Sequence, residues 1–248
     1  MDLVVELFHN PISTCSQKVR LCLAEKKIDY QSRVINFANQ EHLSDEYLHL
    51  NPNGVVPTLI HNGRAIVDSS VICEYLDEVF PDPRLSPPTA LERANMRAWM
   101  RYLEEVPTTA IRVPSFNMLF ANNLAKIPES DFREMTDRMP LRKAFYRQLK
   151  GEDGFDKSLY EDSLDKLRGT LARADNTLSE NDWLVGDQFT IADIVLTPTI
   201  VRMDDIGLSD MWAKLPHFSR WYNDIRERPS FETAFFAGSR VDPKSFSL

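Results

Sequence analysis

The first 80 residues alternate between short apolar runs and stretches with helical periodicity. Leu3–Phe8 is a mostly apolar run that predicts a buried strand. Apolar residues recur at helical spacing from Cys15 to Lys27, which predicts the first helix, and Tyr30–Asn36 predicts a second strand. A looser segment follows at Glu41–Leu50, where we expect one helix.

A hairpin and a helix complete this unit. Val55–Ile60 and Arg64–Val67 are short apolar runs joined through Asn62-Gly63, and an Asn-Gly pair in that position is a strong local signal for a β-hairpin. Ser69–Val79 then carries apolar residues at i, i+3 and i+4 and predicts a helix. The order β-α-β-α-β-β-α predicts a small α/β domain over residues 1–80.

The pattern changes after a proline-rich linker at residues 81–88. From there to residue 240 no β alternation stands out, so we expect an all-α domain over residues 89–240. Its clearest helical patterns are Leu91–Glu105, Lys157–Ser179, Thr190–Met203 and His217–Glu227. Between Pro107 and Gly154 the pattern is irregular and gives no boundaries.

Composition narrows the possible partners. A net charge of −8 over 248 residues argues against nucleic acid, which needs a basic surface. No apolar run approaches the roughly 20 residues that span a bilayer, and the N-terminus has no signal-peptide pattern. Three cysteines without metal-ligand spacing predict a reduced, cytoplasmic protein with no metal, and the lack of a membrane-spanning run predicts no membrane partner.

Two short motifs suggest a binding pocket for a small peptide. Pro57 stands at the start of an apolar strand, where a cis Val56-Pro57 bond is expected. Val56 could then pair through its backbone with an extended ligand. Asp68 and Ser69 open the next helix, where free N–H groups and the helix dipole attract a carboxylate. Glutathione is a peptide that would suit both features.

These features together resemble the glutathione transferase superfamily. A second motif supports the resemblance: Gly186–Asp193 is similar to the family's capping motif, in which Thr190 would cap a core helix and Asp193 would complete a capping box. The resemblance covers nearly the whole chain. It implies an α/β thioredoxin-like N-terminal domain plus an all-α C-terminal helical domain, with a structural role for Asp193.

The resemblance also implies a catalytic residue. Residues 12–20 resemble the serine-type signature of the zeta class, Ser-Ser-Cys-x-Trp-Arg-Val-Arg, with Thr14, Gln17 and Lys18 as departures from it. On this match Ser13 contacts the glutathione sulfur. A hydroxyl that donates to the sulfur at a helix N-terminus favours the thiolate over the thiol. The alternative is that Ser13 is only an N-cap residue.

A second candidate for the chemistry is a thiol. Some relatives use a cysteine on this turn to form a mixed disulfide with glutathione, and Cys15 stands at that place. The alternative is that Cys15 is a small buried residue.

The remaining glutathione contacts also follow from the resemblance. Val56 and Pro57 would hold the cysteinyl part, Asp68 the γ-glutamyl ammonium and Ser69 its carboxylate. His42, with Gln40 as an alternative, would reach the glycyl carboxylate.

The family implies glutathione S-transferase activity on a second substrate. The thiolate would add to a hydrophobic, aromatic electrophile, with β-aryl ether cleavage, dehalogenation or conjugation as the outcome. The extra length between Pro107 and Gly154 resembles the bacterial β-aryl etherases. Apolar candidates for this pocket are Trp99, Tyr102, Phe116, Met118, Phe120, Phe145 and Tyr146.

Two alternatives remain open at this point. One is a glutathione-dependent cis-trans isomerase of a maleyl-type acid, and the other is a non-catalytic protein-binding module on the same fold. The family also implies a homodimer, formed through Arg64–Tyr75 and the helix Leu91–Glu105.

Overall fold

The sheet sits in the N-terminal part of the chain. In this computed structural model residues 5–149 and 154–243 are described. Within them the sheet has the order β2-β1-β3-β4, and its strands are β1 (Val5–His9), β2 (Gln31–Val34), β3 (Thr58–His61) and β4 (Arg64–Val67). β1 is parallel to β2 and antiparallel to β3, and β3 is antiparallel to β4. The expected first strand is therefore present from Val5, while Leu3 and Val4 lie outside the described residues.

Helices complete the thioredoxin-like arrangement. They are α1 (Thr14–Glu25), α2 (Asp45–Leu50) and α3 (Ser69–Val79), with a short 3-10 helix at Glu41–Leu43 before α2. α1 and α3 pack against each other through side chains that solvent does not reach, among them Val19, Leu23, Ile72 and Leu76. The predicted β-α-β-α-β-β-α order is confirmed. The central strand β3 is fully buried and β1 is buried at alternate positions, while the edge strand β2 is exposed and β4 is at most half-buried.

The rest of the described chain is helical. Its helices are α4 (Ala90–Glu105), α5 (Pro107–Ala110), α6 (Arg112–Leu119), α7 (Ala121–Ala125), α8 (Glu129–Asp137), α9 (Lys143–Gln148), α10 (Lys157–Leu178), α11 (Ile191–Asp205), α12 (Pro216–Arg226) and α13 (Pro229–Ala234). The fold class predicted from the sequence is thus confirmed. α12 begins one residue earlier than the pattern suggested, since Pro216 suits the first turn of a helix.

The irregular segment after Pro107 is a series of short helices. Prolines stand at or near several of the breaks, at Pro107, Pro114, Pro128 and Pro140. The helices α5 to α9 have only four to nine residues each, which is shorter than the window of about 11 to 18 residues in which helical periodicity is recognised, so the sequence pattern gave no boundaries.

The capping box at the start of α11 is present. The Asp193 carboxylate accepts hydrogen bonds from the backbone N–H of Thr190 (2.9 Å) and from the Thr190 hydroxyl (3.0 Å). Its second oxygen accepts from Leu184 N (3.0 Å) and from Trp221 Nε1 (2.8 Å). Asp193 therefore fixes the start of a helix that is buried from Ile191 to Met203, and it belongs to the core.

α1 lies between the sheet and the helical part, packed against α3, α11 and α13. Two polar side chains of α1 reach the C-terminal segment: Gln17 donates to the carbonyl of Ser239 (2.7 Å) and Arg20 to that of Ala234 (3.0 Å). The position of the first turn of α1 is thus set from both parts of the molecule. Across residues 5–149 and 154–243, none of the helices is both long and apolar enough to span a membrane.

Candidate active site

Three segments that are distant in sequence meet at one edge of the sheet. β1 ends at His9 just before the turn into α1, while β3 begins at Thr58 directly opposite Phe8. β4 ends at Val67, which pairs with the same Thr58. The turn before α1, the Val56-Pro57 bond and the start of α3 are therefore neighbours.

Asn10 shapes the turn that leads into α1. Its amide donates to the carbonyl of Ile35 (2.9 Å), and its side-chain oxygen accepts from the backbone N–H of Ile12 (3.2 Å). These two bonds join the turn to the end of β2 and bend it toward the helix, as an Asn side chain does in many turns.

Two buried arginines donate hydrogen bonds to backbone carbonyls of the same turn. Arg20 donates to the carbonyl of Pro11 (2.9 Å), and Arg202 of α11 donates to the carbonyl of Ile12. Arg20 also donates to Nδ1 of His9 at 3.2 Å. Burial, and then the charge of Arg20, lower the pKa of His9 to about 4, so this imidazole is neutral at neutral pH. Sequence reasoning missed these supports, because a helical arginine usually faces water.

Ser13 is the N-cap of α1. Its φ and ψ of −71° and 121° are extended, and its Oγ accepts from the backbone N–H of Ser16 at 3.3 Å. The side chain is half-buried, and its hydroxyl proton is not donated to any residue of 5–149 or 154–243. Capping and donation to a ligand are therefore compatible, since the cap uses a lone pair and a ligand would use the proton.

Cys15 follows on the first turn of α1 and is a half-buried free thiol. Cys22 and Cys73 are fully buried in the core between α1 and α3. Cys15 is therefore the most accessible of the three thiols.

Val56 has the backbone geometry that the sequence suggested. The Val56-Pro57 peptide bond is cis, and the preceding carbonyl of Val55 accepts from Tyr47 Oη (2.7 Å) and Asn51 Nδ2 (2.8 Å). Within the described parts of the chain, the N–H and C=O of Val56 make no hydrogen bond. Both groups therefore remain available to an extended ligand.

Asp68 caps α3. Its carboxylate accepts from the backbone N–H of Ser70 (2.9 Å) and of Val71 (3.1 Å), and its φ of +72° turns the chain into the helix. Ser69 is the first residue of the helix and is almost fully buried. The expected helix cap is present, and the carboxylate of Asp68 is still exposed to solvent.

His42 lies in the 3-10 helix at Glu41–Leu43. Its ring packs edge-on against Phe37, with 4.9 Å between ring centroids. Burial lowers the pKa of His42, so a carboxylate would meet a neutral imidazole there rather than a cation. Its Nδ1 is buried and has no hydrogen-bond partner among the residues described.

Glu104, at the end of α4, was not anticipated from the sequence. Its Oε1 accepts from both the Lys18 ammonium of α1 and the Ser70 hydroxyl of α3. One carboxylate from the helical part therefore binds the second turn of α1 and the first turn of α3, the two helices that border the candidate site. A Glu near a helix end carries no sequence signal for such a contact.

The aromatic residues considered for the second substrate divide into two groups. Trp99 and Tyr102 face α10, where Tyr102 Oη bonds Thr170 Oγ1 (2.9 Å) and the Arg173 guanidinium lies over both rings. Trp99 also lines a cavity of about 470 Å³ between α4 and α10, which includes none of the expected glutathione contacts. Met118 is exposed.

The second aromatic group lies in the short-helix segment. Its ring pairs have centroids 4.9 to 5.9 Å apart and involve Phe116, Phe120, Phe145 and Tyr146. This group lies near α1, because Arg142 interacts electrostatically with both Tyr146 and Cys15 of α1.

Two family models match the chain. The glutathione S-transferase N-terminal domain matches residues 12–79, and the glutathione S-transferase C-terminal domain matches residues 130–229. Together they cover more than half of the sequence. The chain belongs to the glutathione S-transferase family.

Individual relatives of this chain are distant but match over most of their length. Protein LigF of Sphingobium sp. (strain NBRC 103272 / SYK-6) is 27% identical over 234 residues, covering 92% of this chain and 91% of LigF. The crystal structure of the β-etherase LigF superposes with a TM-score of 0.84 at 26% identity, over 94% of this chain and 98% of that one. Maleylacetoacetate isomerase of Pseudomonas aeruginosa is 28% identical over 236 residues, covering 93% and 95%.

Proposed function

We propose that this protein is a glutathione-dependent transferase or lyase, in which the thiolate of glutathione attacks a hydrophobic, aromatic electrophile. The observation that carries the proposal is the meeting of three glutathione-type contacts at one sheet edge. These are the N-cap hydroxyl of Ser13, the unpaired backbone of Val56 and the capped start of α3 at Asp68. The full-length likeness to a β-etherase supports ether cleavage as one outcome, beside dehalogenation and conjugation.

The chemistry follows from the charge on sulfur. A thiol with a pKa near 8.5 is mostly protonated at neutral pH, so it must lose its proton before it attacks. A hydroxyl donor and the N-terminal end of α1 both stabilise the anion. Ser13 supplies that donor from a fixed N-cap position, while Asn10, Arg20 and Arg202 hold the turn that carries it.

The group transfer is a substitution at carbon. The glutathione sulfur forms a C–S bond as the bond from carbon to an aryloxide or halide breaks, and the leaving group takes the electron pair. The thiol proton passes to solvent or to the aryloxide, so no oxidant or reductant is needed. In ether cleavage the products are a thioether of glutathione and a phenol.

A second candidate function is cis-trans isomerisation of a maleyl-type acid. The zeta-like turn at residues 12–20 and the full-length match to maleylacetoacetate isomerase favour it. The same thiolate would add to the conjugated double bond, allow rotation about the resulting single bond and leave again. Ser13 would have the same role in both reactions.

The experiment is a substrate screen after a binding test. Retention on immobilised glutathione is measured first, and then turnover of an aryl ether, a chloronitroarene and a maleyl-type acid with millimolar glutathione. We expect retention together with turnover of the ether or the chloroarene. Turnover of the acid alone would favour the isomerase. Retention with no turnover of any substrate, or no retention at all, would contradict the proposal and favour a binding module.

We also propose that the protein is a homodimer. The elements that would form the two-fold interface carry exposed apolar side chains, Val71 on α3 (54% exposed) and Leu91 on α4 (72% exposed). Exposed apolar groups on an expected interface support association. Sedimentation at micromolar concentration should show a dimer, and a single 28.6 kDa species would count against it.

A further inference from the structure

The segment of residues 126–149, here the bridging segment, reaches from the helical part to the thioredoxin-like part. Arg138 donates to the carbonyl of Leu43 (3.4 Å) and approaches Gln40 Oε1 (3.5 Å). A Cβ added to Gly54, whose φ is +60°, would lie 3.0 Å from both Pro140 and Leu43. The bridging segment therefore packs closely on the region before β3, beside the candidate active site.

This contact brings Arg142 into the region near α1. Arg142 is the N-cap residue of α9, four residues before Tyr146, and Arg112 is the first residue of α6, four residues before Phe116. Residues four apart lie on the same helix face. Because the rings of Phe116 and Tyr146 are 5.5 Å apart, the two arginines extend from neighbouring turns of a packed helix pair.

The charges around these arginines are unbalanced. Both side chains are half-buried, and neither guanidinium makes a hydrogen bond or ion pair with the residues of 5–149 and 154–243. Burial and the charge of Arg112 lower the pKa of Arg142, while Cys15, Tyr146 and Glu104 lie close enough to raise it.

Glu104 does not neutralise this pair. It already accepts hydrogen bonds from Lys18 and Ser70, so the cations Lys18, Arg112 and Arg142 share one carboxylate. Partly buried guanidinium groups that face each other without a partner are costly, and an anion between them would remove that cost. This local positive charge contrasts with the net charge of −8 of the whole chain.

We propose that Arg112 and Arg142 form an anion subsite for a carboxylate on the second substrate, on the Cys15 side of the candidate active site. The inference rests on the proposed function and names its substrate class: an aromatic electrophile that bears a carboxylate. Guanidinium groups bind carboxylates in a planar, bidentate geometry, and the rings of Phe116 and Tyr146 offer an aromatic surface beside them.

The carboxylates of glutathione are the alternative ligands for Arg112 and Arg142, and kinetic measurements distinguish them from a carboxylate on the second substrate. The test uses 4-chloro-3-nitrobenzoate and its methyl ester, which lacks the negative charge, at saturating glutathione, and each variant is compared with the wild type on the same substrate. The variants are Arg112→Leu, Arg142→Leu and Arg142→Lys. Arg147→Leu is the matched control, because Arg147 is an exposed arginine of α9 that pairs with Asp137.

Loss of a charge-assisted contact should lower kcat/KM for the benzoate by about 10- to 100-fold in each leucine variant. In every variant, kcat/KM for the ester and the KM for glutathione should stay within about two-fold of the wild type. The Arg147→Leu control should also keep kcat/KM for the benzoate within that range. For Arg142→Lys we expect a kcat/KM for the benzoate between those of the wild type and Arg142→Leu. Equal losses on both substrates, or a rise confined to the KM for glutathione, would overturn the subsite. Turnover of the ester also verifies that each variant is folded.

A binding measurement separates this inference from the proposed function. If the wild type turns over neither substrate, the proposed function fails on these electrophiles, and equilibrium binding of 4-chloro-3-nitrobenzoate against its ester still tests the subsite. A preference for the benzoate that is lost in Arg112→Leu and Arg142→Leu supports it. Equal binding of the two compounds to the wild type overturns it.

Discussion

Lys18 of α1 and Glu104 of α4 form an ion pair that joins the thioredoxin-like part to the helical part. The ammonium of Lys18 is only 2% exposed, so it depends on this partner. The same carboxylate oxygen accepts from Ser70 at the start of α3. One side chain thereby fixes two helix N-termini that border the candidate active site.

We expect Glu104→Ala to lower the free energy of unfolding by about 3–5 kcal/mol, because it leaves a buried ammonium without a partner. Denaturant unfolding measures this change. Glu105→Ala is the matched control, since Glu105 is the adjacent, exposed residue and should change stability by less than about 0.5 kcal/mol. Similar values for the two variants would show that the ion pair contributes nothing.

The Lys18–Glu104 ion pair makes the stability of the fold depend on pH. Burial alone would raise the pKa of Glu104, but the charge of Lys18 and the hydrogen bonds from Lys18 and Ser70 outweigh it, so the pKa is lowered from 4.5. A lowered carboxyl pKa stabilises the fold above the unfolded pKa and loses that effect as the pH falls through the folded value. The stability difference between wild type and Glu104→Gln should therefore be full at pH 6 and shrink at pH values below 4.5.

A second stability prediction concerns Asp193. Asp193→Ala leaves buried donors of Leu184, Thr190 and Trp221 unsatisfied, at about 1–3 kcal/mol each, so we expect a loss of at least about 3 kcal/mol. Thermal unfolding provides the measurement. Asp187→Ala, in the exposed loop before the helix, should leave the midpoint nearly unchanged. A mild effect of Asp193→Ala would mean that the capping box does not hold the core helix.

Cys15 offers a test of the alternative thiol mechanism. We expect Cys15→Ala to keep most of the turnover with glutathione, because the proposed reaction uses the sulfur of glutathione and not a protein thiol. Mass spectrometry of the wild type after incubation with oxidised glutathione is the second readout. Loss of turnover in Cys15→Ala together with a glutathione adduct on Cys15 would assign the enzyme to thiol transfer instead.

Much of the thioredoxin-like part could be predicted because its signals are local. The Asn62-Gly63 turn, the Asp68 cap and the proline at the start of β3 each act over a few residues, and each is present in the structure. Local patterns also located the Thr190–Asp193 capping box.

What could not be predicted depends on long-range contacts. Glu104 meets Lys18 across 86 residues, and Arg202 meets Ile12 across 190, without any spacing rule to reveal the pair. Arg142 lies among helices too short to carry a periodic signal. The expected contacts at Ser13, His42, Val56, Pro57, Asp68 and Ser69 remain predictions about glutathione, because a ligand's position is not written in the pattern of the chain.

Ser13 carries the central prediction for turnover. If its hydroxyl stabilises the glutathione thiolate, Ser13→Ala should lower kcat by about 10- to 150-fold, the equivalent of one charge-assisted hydrogen bond of roughly 1.5–3 kcal/mol. The KM for glutathione should change little, since the remaining contacts at Val56 and Asp68 are untouched. Ser158→Ala, at the solvent-exposed start of α10, is the matched control and should keep full activity.

The most direct test is a pH titration of glutathione bound to the protein, followed by the ultraviolet absorbance of its thiolate. In the wild type the pKa of the bound thiol should lie below its ordinary value near 8.5, and in Ser13→Ala it should rise by about one to two units. The same lowered pKa in both proteins would contradict the role of Ser13 and transfer the effect to the backbone N–H groups at the start of α1. An unshifted pKa in the wild type would contradict the account as a whole.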